Sequence, residues 1–229
     1  IYTNDSIRKD NEVAMVSTLT TVLESTNDNV LDWLEGINAD VNQFVNRPDI
    51  LALLKSDNKE LFNKQVLLHF QDSYKGFILV DEDGTISNSS LLTWKSKKIA
   101  SFSSNDYSEE LFSKQSGIQF PDSKSSESEF NHVIKISAPF DSNKRFILLV
   151  DPQQRFSKIL QLGRVGESGE SYAFNQYGEM ISESRFTKDL IKNGLLKKGE
   201  LSELNIILKD PKSKKFTLMA KDAIKGYDG

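Results

Sequence analysis

Residues 76–86 read GFILVDEDGTI, and the fold follows from how this stretch is parsed. Residues 76–80 form a short apolar run of strand formers. Asp81, Glu82, Asp83 and Gly84 then supply turn chemistry, because short acidic side chains bond to nearby backbone and glycine accepts a positive φ. Residues 85–88 resume as a strand, so the stretch predicts a tight β-hairpin. Further along, residues 133–138 and 145–150 are two more strand-like runs, with Ser142-Asn143 as the turn between them. These pairings predict an antiparallel sheet. The same grammar returns at residues 172–182: Tyr172-Ala173-Phe174, the turn Asn175-Gln176-Tyr177-Gly178, then 179–182. Laying Gly178 on Gly84 aligns the two segments, a weak internal repeat that predicts two related modules in tandem.

Toward the N-terminus the period changes. Val16, Leu19, Leu23, Val30, Leu34, Ile37, Val41 and Phe44 mark one face of a long helix. From Val30 their 4-3-4-3 spacing is a heptad seam. Thr26 and Asn27 interrupt the seam. Pro48 marks a break and suits the first turn of a second helix, with Asn46 as its cap. Ile50, Leu53, Leu54, Leu61 and Phe62 supply the apolar positions of that helix, and residues 63–71 predict a third. On the C-terminal side, 120–129 reads as an exposed polar loop, 156–162 as a short helix and 163–170 (GRVGESGE) as a glycine-rich connector. A helix over 188–196 stopped near Gly199 follows. Strands over 204–208 and 215–220 come next, joined at Asp210-Pro211. The expected class is α+β: a long N-terminal helical region (1–70), a first antiparallel module (71–160) and a second, shorter one (161–229).

The composition narrows the function classes. Of 229 residues, 38% are hydrophobic, 27% are charged and 14 are Phe, enough for a substantial core. The net charge of −4 offers no basic face for nucleic acid. The two KSKK runs, 95–98 and 212–215, read as solvated turns. There is no cysteine and there are only two histidines, His69 and His132, so neither a thiolate site nor a histidine-rich metal site is expected, and no cofactor. No stretch reaches the ~18 apolar residues of a membrane span, and no signal peptide is present. The abrupt start at Ile1 and the stop in GYDG predict a fragment whose membrane spans lie outside it.

The run FILVDEDGTI also carries the DxDGT pattern of haloacid-dehalogenase-type phosphatases. In those enzymes the first aspartate attacks phosphorus and the second is acid and base beside Mg²⁺. Asp81 and Asp83 would be the pair. The context argues otherwise: no downstream GDxxxD or DD follows, the later segments read as antiparallel pairs, and the sister hairpin places Asn175 and Tyr177 at the matching positions. A turn role explains both copies. Glu109-Glu110, Glu167 and Glu170 stand without a nucleophile or base beside them. No catalytic residue is assigned, and an enzyme is not expected.

The long helix, the helical break and the GFILVDEDGTI hairpin together resemble the opening of a double Cache domain, a PAS-like extracytoplasmic sensor of bacterial receptors. Residues 162–186, LGRVGESGESYAFNQYGEMISESRF, are similar to the connector that enters the membrane-proximal module of that family. The resemblance runs from about residue 10 to the end. It implies two PAS-like modules stacked along one long helix. It implies a receptor in the inner membrane with this region periplasmic or extracellular, signalling to a cytoplasmic output such as a histidine kinase or a chemotaxis module. It also implies a homodimer through the N-terminal helix and a small ligand, an amino acid, other carboxylate or amine, in the distal module. The R-x-W-Y pattern of the amino-acid-binding group is incomplete, since Leu92, Thr93, Trp94 and Lys95 keep only the tryptophan. The family also continues past the point where this sequence stops.

The residues expected around a distal ligand are Trp94, Phe102, Asp106, Tyr107, Lys135 and Asp141. Trp94 and Tyr107 would box an apolar or cationic group. Lys135 would hold a carboxylate, and Asp106 or Asp141 an amine. In the second module Tyr172, Glu183 and Arg185 form a weaker set. The competing reading is a module that recognises a periplasmic binding protein and carries no ligand, with a phosphatase third.

Overall fold

The computed structural model describes residues 2–56, 58–71, 74–91, 117–123, 131–140, 144–167, 169–210 and 212–226. Helix α1 (Tyr2–Val45) is a single run of 44 residues. Its apolar seam divides in two. Val13, Val16, Leu19 and Leu23 stay exposed, whereas Leu34, Ile37, Val41 and Phe44 are buried. The buried half ends in an aromatic cluster in which Phe44 meets Phe70 at 5.1 Å, Phe146 at 5.8 Å and Phe62 at 6.4 Å between ring centroids. Such tilted and edge-on contacts between large rings each add about 0.5–1.5 kcal/mol beyond the area they bury.

Helix α2 (Pro48–Lys55) begins with Pro48 in its first turn, where the missing N–H costs nothing. Its N-cap is Arg47 and carries no side-chain cap bond. Asn46 was expected there, but its amide reaches back to the Asn42 carbonyl at 2.8 Å. Helix α3 (Lys59–His69) is capped by Asn58, which accepts from the Leu61 N–H at 3.1 Å. Leu61 and Phe62 therefore belong to α3 and not to α2. His69 of α3 contacts Asp40 of α1 at 2.8 Å.

Five antiparallel strands follow: β1 (Tyr74–Asp81), β2 (Ile86–Ser89), β3 (Gly117–Gln119), β4 (Ile134–Pro139) and β5 (Lys144–Val150). Their order across the sheet is β2-β1-β5-β4-β3. One face carries Phe77, Leu79, Ile134, Ile136, Phe146, Leu148 and Val150, and these pack with α1, α2 and α3. The other face carries Ile78, Val80, Ile86, Val133, Ile147 and Leu149, with Leu91 against them. The central strands thus bury both faces, as their near-continuous apolar sequences require.

The 81–84 turn closes with Gly84 N–H donating to the Asp81 carbonyl at 2.9 Å and Asp81 N–H to the Thr85 carbonyl at 2.9 Å. The 175–178 turn repeats this, Gly178 to Asn175 at 2.8 Å and Asn175 to Glu179 at 2.9 Å. Gly84 has φ +79° and Gly178 φ +71°, the left-handed conformation glycine tolerates. The two turns therefore share one geometry. Beyond the turn the repeat fades: the second copy forms an isolated bridge, Phe174 to Met180, in place of a ladder.

After β5 the chain forms α4 (Phe156–Leu162), whose Phe156 lies 6.1 Å from Trp33 of α1 between ring centroids. The connector then crosses α1 so closely that a side chain on Gly163 would overlap Thr26. Thr26 is buried there. The break in the heptad seam is thus a crossing point.

Three sequence expectations change. Phe120 packs on the core, and Pro121 and Asp122 are buried, so the start of the expected loop is covered; residues 124–129 of it lie outside the described residues. Helix α5 (Thr187–Lys192) is shorter than 188–196, with Gly194 at φ +72°. The strands expected over 204–208 and 215–220 reduce to the bridges Glu179–Ile207 and Lys209–Phe216. Residues from 218 onward instead form α6 (Leu218–Ile224), which Thr217 caps by accepting from Ala220 N–H at 3.3 Å.

Candidate functional site

Lys135 is the second residue of β4, paired with Gln119 of β3 on one side and Leu149 of β5 on the other. Its register places it on the face with Val133 and Leu149, away from the helices. Alternation alone allowed that position to face solvent. The structure buries it instead, at 6% exposure. Its amine donates to Gln119 Oε1 at 3.3 Å, a long bond. Burial pushes the amine down to about 8, while the Asp122 carboxylate pulls the other way. Among the described residues, only Gln119 and the Asp122 carboxylate offset the cost of holding this cation out of water. Of the other expected ligand residues, Trp94, Phe102, Asp106, Tyr107 and Asp141 lie outside the described residues. Neither Gln119 nor Asp122 is signalled by a sequence pattern, because β3 has only three residues and no periodicity of its own.

Four residues beyond Gln119, Ser123 reaches the second hairpin. Its hydroxyl donates to Glu179 Oε1 at 2.5 Å. Asn175 Nδ2 donates to Glu179 Oε2 at 2.9 Å and to the Pro121 carbonyl at 3.4 Å. The strand beside Lys135 is thereby fastened to the repeat of the 81–84 turn.

A second junction gathers around Glu203, which is 1% exposed. Its Oε2 accepts a long 3.5 Å bond from Gln153, and its Oε1 lies 3.5 Å from His132 Nδ1 with no hydrogen-bond partner. Burial pushes the carboxyl up to about 7, opposed by Gln153 and Lys75 and reinforced by Asp151 and Glu183. Burial likewise lowers His132, with Lys75 adding to it. Both groups are driven toward their neutral forms.

The remaining polar groups serve structure. Asp81 pairs across the sheet with Lys144 of β5 at 2.5 Å, and Asp83 accepts within the turn from the Thr85 N–H at 3.0 Å and hydroxyl at 2.9 Å, so both DxDGT carboxylates are engaged. In the C-terminal set, Glu183 accepts from Ser202 N–H at 2.8 Å and from Thr187 Oγ1 at 2.7 Å. Arg185 bonds to the Glu167 carbonyl and lies over Phe186 at 4.5 Å. Tyr172 points to Met219 at 3.9 Å, so these three do not converge on a pocket. On the helix-packed face, a pocket of about 120 Å³ opens between Phe62, Leu79, Lys59 and Lys144. It is well below the ~300–1,000 Å³ of ordinary ligand sites. Among the described residues, no group of three or more acidic or histidine side chains is placed to hold a metal, and no helix is long and apolar enough to cross a membrane. Comparison with protein-family models and with curated proteins finds no match to this chain.

Proposed function

We propose that this chain is the ligand-sensing region of a membrane-anchored receptor of the double Cache type. It binds a small molecule through a carboxylate on the sheet face that carries Lys135. The observation that carries the reading is the buried, weakly compensated Lys135 amine on the face opposite the helices. A ligand carboxylate would supply the partner that Gln119 only partly provides. Lys135 and Gln119 lie side by side on β4 and β3, so occupancy bears on β3 and through Ser123 on Glu179. A ligand that favoured one arrangement of this junction over another would shift the population toward it. The exposed seam of Val13, Val16, Leu19 and Leu23 supports pairing of α1 with a second copy of the chain. The similarity of the connector to the proximal module of that family, and the repeated turn, support two modules.

The test is a thermal-shift screen with amino acids, small mono- and dicarboxylates, amines and sugars at millimolar concentration. A ligand at about 100 times its Kd stabilises by about 2.7 kcal/mol. A dose-dependent shift with carboxylates that disappears in Lys135→Met supports the reading. A shift that persists in that variant, or no shift in protein shown to be folded, overturns it.

A further inference from the structure

We propose that Glu203 is a proton-operated latch that joins the C-terminal part of the chain to the end of the sheet. Three observations converge on it. The first is an orphaned atom: Glu203 Oε1 is buried and has no hydrogen bond. Buried polar atoms are nearly always satisfied, so an exception asks for a reason. The second is the charge around it. Asp151, just past β5, and Glu183, in the C-terminal part, are repelling carboxylates. Lys75 of β1 is the opposing cation, and His132, just before β4, is the group at 3.5 Å. Gln153 is a neutral donor. The third is backbone strain. Leu204, the next residue, has φ +58°, a conformation that costs a non-glycine residue free energy unless its surroundings enforce it.

The enforcing contacts are visible. Leu204 packs on the main core, and its N–H donates to the Met180 carbonyl at 2.7 Å. Ser202 is fully buried, and its hydroxyl accepts from the Ser184 N–H at 2.6 Å. With a proton on Glu203, a neutral carboxyl lies against Gln153 and His132, and the 202–204 turn stays seated. Without it, a charge is buried between Asp151 and Glu183, and the strain at Leu204 is released by lifting the turn. Met180 and Glu179 belong to the hairpin fastened to Ser123, so the latch acts on the same hairpin that the Lys135 strand holds. The inference does not depend on a ligand at Lys135.

The protein's two histidines make the test direct. Imidazole NMR signals of His132 report the junction, and those of His69 serve as the control. In the wild type, His132 should show an inflection near neutral pH beyond its own titration, absent in Glu203→Gln and absent from His69. Amide protection at Leu204, corrected for intrinsic exchange, should fall roughly tenfold or more between pH 6 and pH 8 in the wild type and stay level in Glu203→Gln. Asp151→Asn keeps the carboxyl and removes one repelling charge, so its transition should move to lower pH. An inflection or a loss of protection that persists in Glu203→Gln, or a transition that Asp151→Asn leaves in place, overturns the proposal.

Discussion

Replacing Lys135 by methionine should stabilise the unliganded protein at pH 7. Methionine keeps the apolar stem and removes the buried charge. The folded amine titrates at about 8, against 10.5 for an ordinary lysine. That gap of about 2.5 units, at 1.36 kcal/mol each, corresponds to roughly 3 kcal/mol of penalty. Because the folded value is the lower one, the penalty is fully present below pH 8. It fades as pH rises from 8 toward 10.5, where the unfolded chain also loses its proton. Losing the bond to Gln119 offsets about 1 kcal/mol. A net gain of about 2 kcal/mol remains at pH 7. Urea unfolding at pH 7 and pH 10 measures it. With a slope near 3 kcal/mol per molar, the midpoint should rise by somewhat under 1 M at pH 7 and by much less at pH 10. A variant less stable than wild type at pH 7, with a difference that does not change with pH, would refute the reasoning. The same linkage means that a bound carboxylate holds the proton on Lys135, so carboxylate affinity should weaken above pH 8.

Two further predictions concern the frame around the site. Phe44→Ala empties the meeting point of α1, α3 and the sheet and should cost about 3–5 kcal/mol in chemical denaturation; an unchanged midpoint would mean that α1 does not pack there. Gly163→Ala drives a methyl group into Thr26 and should cost about 1–3 kcal/mol. Adding Thr26→Ala should recover part of that loss, and no recovery would disprove the crossing.

The first hairpin was legible because its apolar runs and turn residues agree; the second was legible only in its turn, where Gly178 takes the same left-handed conformation as Gly84, while its flanking residues form a single bridge. α1 was legible from its period, but its two halves were not distinguished, since a heptad seam looks the same covered or bare. β3 was missed because three residues carry no periodicity. The helix from Leu218 was misread as strand; Thr217 three residues before Ala220 was the available cap signal. Lys135 was picked as a ligand residue by type, while its burial came from β4 being covered on both faces, which alternation does not report. Nothing in residues 201–204 (LSEL) distinguishes Glu203 from a surface glutamate. Its environment comes from Gln153, Asp151 and His132, some 50 to 70 residues earlier in the chain.

The contrast between the two halves of α1 has a mechanical consequence. From Thr26 onward the helix is clamped by the connector, α4 and the sheet, while before it the described side chains are exposed apart from the half-buried Val22. The free part, from Tyr2 to Thr26, is a rigid rod of roughly 36 Å, at 1.5 Å per residue. A tilt of about 5° at the Thr26 fulcrum would sweep its far end by about 3 Å, with no bond in the rod changing length. A slight change in how the clamped half is seated thus appears, amplified, at the far end of the rod.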